Sequence, residues 1–356
     1  MTTFITLRGQ YDNVGDVILR RQLARWFDGP CVVYVGDAPA EFVDALQLGS
    51  KSVMYSFPKF VQSIITAPSG SSYVFKPGET QLTLAGMKEN IGMVPMLAKL
   101  RVRGGSVLRI GVGARGSSSI YSALCKPSIK ISNLNQWRDP HTLAVLGGGQ
   151  IMPDLAFAEG SHIDKWTGER TVIAVSLRGD RPLPGRAWIS ALKRCADARS
   201  ANLVVVSQVR RDDQRSIWLA GQLGVEAVLC GVKPCAAIEE DLRRLYRRCA
   251  LVVSNRLHVL IAALTEGAPV SGCVPGGSQK IAEHLDVVGL GHVAVNSDRI
   301  SEAECLARLT SEVPTRRQLV SAVMDARRQI LQVRKQVNDL ISGDAVEAGS
   351  EQEARS

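Results

Sequence analysis

Four cationic or titratable side chains in the second half of the sequence stand where the chain leaves a predicted strand. Residues 172–177 (VIAVSL) form a continuous apolar run that ends at Arg178-Gly179-Asp180. Residues 203–207 end in Gln208, followed by Arg210-Arg211-Asp212-Asp213. Leu251-Val252-Val253 leads into Ser254-Asn255-Arg256-Leu257-His258, and an apolar helical run follows through Ile261, Ala262 and Leu264. Lys280 comes after the glycine-rich Pro275-Gly276-Gly277-Ser278, near a helix start. A guanidinium at a strand's carboxyl end is costly to bury unless an anion sits beside it. A strand-to-helix turn already points backbone N–H groups toward an anion. A single histidine is more often structural than catalytic. With Arg178, Arg256 and Lys280 on neighbouring strand ends, His258 instead completes a socket for a small, multiply charged anion.

The first half offers weaker signals. Gln10-Tyr11-Asp12-Asn13-Val14-Gly15-Asp16 follows the first predicted strand and opens a helix. Asp12 or Asn13 could cap that helix, and Gly15 permits a close backbone approach, so a capped turn and a ligand site fit the segment equally. Residues 73–80 (YVFKPGET) end in a Pro-Gly turn, which mostly marks a change of direction. Glu79 there, placed at a cleft edge, could serve as a base. Gly111-Val112-Gly113 and Gly147-Gly148-Gly149 are expected to follow strands, but neither matches GxGxxG with a downstream acid, which excludes a nicotinamide-cofactor site.

Apolar, β-branched runs at 4–7, 31–35, 108–112, 143–146, 172–177, 203–207, 227–229, 251–254 and 270–274 alternate with helical stretches such as 17–27. That alternation predicts βαβ units with parallel sheets covered on both faces. The polar stretch 157–170 marks a domain junction, giving domains over 1–160 and 170–315. Helical periodicity is sustained from 301 to 341, with a C-terminal helix expected over 316–341 and a frayed polar tail over 342–356. Two parallel-sheet domains facing one another would place ligands at strand carboxyl ends, across the cleft.

Composition narrows the class. The chain has 356 residues, 45% hydrophobic and 22% charged, which is ordinary for a globular protein of two domains. No apolar window is long enough for a membrane span, and Arg8 and Asp12 come too early for a signal peptide. Eight scattered cysteines without a CxxC pair predict reduced thiols, a cytoplasmic location and no metal site. The formal charge of +9 attracts anionic partners. The Arg clusters at 243–248, 316–317 and 327–335 sit at helical spacing, and aromatics are only 5%, so nucleic-acid binding is not expected. A transient association with the anionic inner face of the plasma membrane is compatible with this charge.

These segments resemble the polysaccharide pyruvyl transferase family. The resemblance runs from Asn13-Val14-Gly15-Asp16 (N-x-G-D) through Arg138-Asp139 with Thr142, Pro153-Asp154-Leu155-Ala156-Phe157 and Val175-Ser176-Leu177-Arg178 to Ser254-Asn255-Arg256-Leu257-His258 with Gly267-Ala268-Pro269. It departs at Lys76-Pro77-Gly78-Glu79-Thr80, where many members carry a glycine-rich turn with a polar residue. The resemblance implies two Rossmann-like domains in a GT-B arrangement, no cofactor, and phosphoenolpyruvate as donor to two hydroxyls of a sugar in a cell-surface glycan or lipid-linked precursor. It casts Arg178 and Arg256, with Lys280, as contacts to the donor's carboxylate and phosphate, because a guanidinium fork matches either group. His258 becomes a general acid toward the enol methylene. Glu79 or Asp16 would take the hydroxyl proton, while Asn13, Gly15, Gln208, Ser254 and Asn255 line the substrate. Asp154 is expected to cap or hold the interdomain segment. A GT-B glycosyltransferase with a sugar-nucleotide donor and a non-catalytic anion-binding protein are the rival expectations.

Overall fold

The computed structural model describes residues 1–277 and 279–342. By contacts the chain divides into two units. Among the described residues the first comprises Met1–Tyr11, Leu19–Leu155 and 328–342; the second comprises Asp12–Ile18 and Ala156–Arg327.

In the chain order of the first unit come β1 (Thr3–Thr6), α1 (Val14–Ala24, whose start through Ile18 belongs to the second unit), β2 (Cys31–Tyr34), α2 (Ala40–Ala45) and β3 (Ser52–Met54). Next are α3 (Phe57–Ile65), β4 (Ser72–Phe75), β5 (Gly78–Gln81), α4 (Leu84–Gly92) and α5 (Val94–Val102). The unit continues with β6 (Val107–Arg115), α6 (Ser119–Ile131), β7 (Leu134–Trp137), α7 (Pro140–Leu146) and β8 (Gln150–Ile151). Its strands pair in parallel in the order β3-β2-β1-β4-β6-β7-β8, with β5 also beside β6. β1 and β4 are buried at every position, the pattern of strands covered on both faces.

The second unit contains β9 (Val172–Ser176), α8 (Arg186–Ala198), β10 (Asn202–Val206), α9 (Asp213–Leu223), β11 (Ala227–Val228) and α10 (Cys235–Tyr246). β12 (Cys249–Ser254), α11 (Leu257–Thr265), β13 (Val270–Val274), α12 (Gln279–Asp286), β14 (Ala294–Asn296) and α13 (Glu302–Thr310) follow, and α14 (Arg316–Ser342) ends the described chain. The parallel order is β11-β10-β9-β12-β13-β14. Ile173, Val175, Leu192, Leu219, Val253 and Cys273 meet in one buried core, and Trp188 Nε1 donates to the Cys273 carbonyl at 2.8 Å. α11 is buried from Val259 to Thr265, which explains its uninterrupted apolar sequence.

Three expectations need correction. Residues 143–146 are helical, not a strand: Asp139 caps α7 through the Thr142 N–H (2.7 Å) and Pro140 starts it. A four-residue apolar run carries no period able to separate the two states. Gly147-Gly148-Gly149 therefore follows a helix, and Gly111-Val112-Gly113 lies inside β6. The periodicity of 301–341 belongs to two helices, because Pro314 between α13 and α14 cannot continue a helix. The tail expected to fray lies, beyond Ser342, outside the described residues. Among the described residues no cysteine pair forms a disulfide.

Candidate anion site at the carboxyl ends of the second sheet

In the second sheet the direction of strand addition reverses between β9 and β12. From β9 the chain builds outward to β10 and β11, then returns to place β12 on the other side. Parallel sheets leave a crevice at such a switch point, beyond the strand carboxyl ends. Arg178 lies just past β9, and Ser254, Asn255 and Arg256 close β12.

Hydrogen bonds tie these two ends together. The Asn255 Oδ1 accepts from the Arg178 backbone N–H at 2.7 Å. The Ser254 hydroxyl donates to the Ser176 carbonyl at 2.6 Å and accepts from the Arg256 N–H at 3.0 Å. Ser254 and Asn255, expected to line a substrate, are engaged in fixing the backbone from which both arginines project. Gln208, past the end of β10, is buried.

Both arginines already face a carboxylate. Arg256 is 7% exposed, and its Nε and Nη2 both meet Asp212 Oδ2. Asp212, 1% exposed, also accepts from the Gly179 N–H through Oδ1 at 2.9 Å. Burial pulls the Arg256 guanidinium below its ordinary value, Asp212 opposes that shift, and the neighbouring charges of Arg178 and Arg211 add to it. Arg178 grips Asp180 with a bidentate fork, Nε to Oδ1 at 2.8 Å and Nη2 to Oδ2 at 2.6 Å. That fork holds the Asp180 carboxyl well below the usual carboxylate range. The anion expected beside each guanidinium is thus, in this structure, a carboxylate of the protein itself. The low dielectric around a buried guanidinium demands a carboxylate, and the protein supplies one. Only the Arg178 pair is exposed enough to exchange readily, since ion pairs in water are worth about 0–1 kcal/mol.

The loop after β9 is clamped from behind. Arg215 on α9 donates to the carbonyls of Gly179 (3.1 Å), Arg181 (2.7 Å) and Pro182 (2.9 Å). Sequence reasoning missed Asp212, Asp180 and Arg215 as members of the site. The acids were visible beside the arginines, at Asp180 and in Arg211-Asp212-Asp213, but their pairing depends on loop geometry.

His258 occupies the first turn of α11 and is half-buried. Its imidazole lies directly against Gly15: a Cβ added there would meet Nδ1 at 2.2 Å and Cγ at 2.5 Å. The glycine is held in place by Asn13, whose Oδ1 accepts from the Gly15 N–H at 3.0 Å. Asn13 O also accepts from the Asp16 N–H at 3.0 Å, turning the chain into α1. The Asn13–Asp16 segment and the Arg256–His258 segment are therefore in contact within the second unit, across more than two hundred residues of sequence. A methyl group at Gly15 must displace the ring. For Gly15→Ala we expect turnover to fall roughly a hundredfold, the scale of an ångström-sized misplacement, and the thermal midpoint to fall as well, because the methyl would also meet the His258 Cβ at 2.6 Å. Wild-type turnover in a folded Gly15→Ala protein would show that the ring position does not matter.

The remaining candidates have the following surroundings. Lys280 is exposed on the first turn of α12. Glu79 belongs to β5 of the first unit, where it pairs with Arg115 at 3.3 Å. Asp16 is half-buried, next in sequence to Gly15. Asp154 pairs with Arg138 at 3.2 Å, both buried within the first unit, and Asp139 binds the Thr142 hydroxyl at 2.7 Å.

A family model described as polysaccharide pyruvyl transferase matches residues 13–275. No curated protein matches the chain in sequence. Among solved structures, the Anabaena protein HepE in complex with UDP is 12% identical with a TM-score of 0.58, over 96% of this chain and 99% of its own. The UDP-GlcNAc 2-epimerase of Neisseria meningitidis, solved with UDP-GlcNAc, is 12% identical with a TM-score of 0.56, over 96% of this chain and 100% of its own. These likenesses, with two parallel sheets and a long C-terminal helix, establish a GT-B-like α/β fold built from Rossmann-like units.

Proposed function

The chain belongs to the polysaccharide pyruvyl transferase family, a family of transferases, and from that premise we propose that it transfers a pyruvyl group from phosphoenolpyruvate to two hydroxyls of one sugar residue, forming a ketal. The observation that carries the reading is the imidazole of His258 seated on Gly15 beside the Arg256 strand end. An acid and a cation on one strand-to-helix turn suit protonation of an enol ester that carries both a carboxylate and a phosphate.

In this mechanism His258 delivers a proton to the methylene carbon, which becomes the methyl group. The adjacent carbon turns electrophilic and takes the oxygen of the first sugar hydroxyl. The C–O bond to phosphate breaks, the second hydroxyl oxygen closes the ring, and inorganic phosphate leaves. Of the two hydroxyl protons released, one replaces the proton spent on the methyl group and the other leaves with phosphate. Arg256, fixed by Asp212, offers its Nη1 edge to the donor. Arg178 exchanges Asp180 for the donor's carboxylate, so donor binding releases Asp180. Asp16, adjacent to the glycine under the imidazole, is our candidate for accepting a hydroxyl proton. The acceptor is a sugar of a glycan or of a lipid-linked precursor.

Calorimetry with phosphoenolpyruvate and with UDP tests the donor. Phosphoenolpyruvate should bind and UDP should not. Arg178→Lys should weaken phosphoenolpyruvate roughly tenfold or more, because a point charge cannot replace a bidentate fork. Tight UDP binding with no heat from phosphoenolpyruvate would move the chain to sugar-nucleotide chemistry.

A further inference from the structure

The positive charge of the chain is concentrated in one place. Residues 51–131 of the first unit hold eleven lysines and arginines against two glutamates and no aspartate. That balance of +9 equals the formal charge of the whole chain, so the rest of the sequence is neutral. Both glutamates are engaged within the unit. Glu89 Oε1 accepts from the Thr6 and Tyr73 hydroxyls, each at 2.7 Å, and Glu79 pairs with Arg115.

The stretch builds a layer of helices on the first sheet. Phe60 and Ile64 of α3 and Leu97 and Leu100 of α5 share a core with Phe4, Tyr73 and Val107, while α4 and α5 both pack against α6. On its outer side Lys59, Lys88, Lys99, Lys126 and Lys130 are exposed. Large apolar side chains stand among them. Half of those exposed among the described residues fall within this stretch, which is under a quarter of the chain. Leu84, Lys88 and Ile91 follow one another down α4 at i, i+4 and i+7, and Ile120 and Leu124 do so at i, i+4 on the neighbouring α6. Leu84 is 63% and Ile120 69% exposed. Soluble surfaces do not ordinarily gather aliphatic groups in this way without an occupant.

We propose that this α4–α6 face, with the rest of the helix layer, docks the protein onto an anionic phospholipid bilayer. Lysines pair with lipid phosphates while the aliphatic groups between them enter the interfacial region. A nucleic-acid backbone would match the lysines but gain nothing from Leu84 or Ile120, so the apolar groups select the bilayer. No helix among the described residues is long and apolar enough to cross a membrane, so the association is peripheral. The proposal uses none of the residues of the anion site, and it stands or falls separately from the donor chemistry.

Flotation with vesicles tests it, using phosphatidylcholine alone and phosphatidylcholine with phosphatidylglycerol at physiological salt. The protein should float with the anionic vesicles and stay behind with the zwitterionic ones. Leu84→Ser with Ile120→Ser and Leu124→Ser, and separately Lys88→Glu with Lys126→Glu and Lys130→Glu, should each lower the bound fraction roughly tenfold or more. Thermal melts of both variants should match the parent, since every altered side chain is exposed. A parent protein that does not float, equal flotation on both vesicles, unchanged flotation by either variant, or binding to a duplex DNA probe without flotation would each overturn the proposal. Phosphate release from soluble phosphoenolpyruvate and acceptor, measured alongside, reports on the active site independently.

Discussion

His258→Ala is expected to lower transfer by roughly 100- to 10,000-fold, the span general acid catalysis commonly supplies, while phosphoenolpyruvate still binds. The separation follows from the division of labour in the site. In the proposed mechanism Arg178 and Arg256 hold the donor's charges, and the imidazole touches only the carbon that gains a proton. The loss should therefore fall in kcat, with the calorimetric Kd for the donor changed only a few-fold. His258 is half-buried in the first turn of α11, whose later residues make the core, so the alanine protein should fold. His258→Asn keeps a polar group of similar breadth against Gly15 but has no proton to donate in the same way; it should be as inactive as alanine. Turnover within tenfold of the parent in either variant would remove the imidazole from the chemistry. A matching loss of donor binding would instead make it an anion contact.

How much of this was legible beforehand differs between the framework and the site. Three strands of the second unit were readable because they are buried nearly throughout and so written as continuous apolar runs: residues 172–177, 251–254 and 270–274 match β9, β12 and β13 closely. The misread run at 143–146 had the same composition but lay behind an Asp-Pro helix start. Short strands with polar faces, such as β5 and β8, carried no periodic signal at all. Within the site, the residue types after each strand were visible, and the topology explains why they converge. Their counter-charges were not foreseen. Asp212 reaches Arg256 over 44 positions of sequence, and no local pattern announces that distance. The contact between Gly15 and His258 was likewise invisible as a contact, although the glycine itself stood out.

The hidden partner gives the second large effect. Asp212→Ala should destabilise the protein by about 3–5 kcal/mol, the scale for leaving one member of a buried ion pair uncompensated. Arg256 would keep its charge in a site where burial already lowers its pKa, with Arg178 and Arg211 nearby and nothing to oppose them. The Gly179 N–H would lose its acceptor as well, so the loop carrying Arg178 should loosen and donor affinity should fall. Asp212→Asn preserves the shape and one acceptor, and should cost less stability than alanine. Combining Asp212→Leu with Arg256→Met removes both charges and fills the space with apolar side chains. That double variant should recover most of the stability while remaining unable to bind phosphoenolpyruvate, because stability requires only that the charges balance, whereas donor binding requires the guanidinium itself. Chemical denaturation of the four proteins checks the ordering. An Asp212→Ala protein within about 1 kcal/mol of the parent would mean that Arg256 does not depend on this carboxylate in solution, and the fixed half of the proposed donor clamp would lose its anchor.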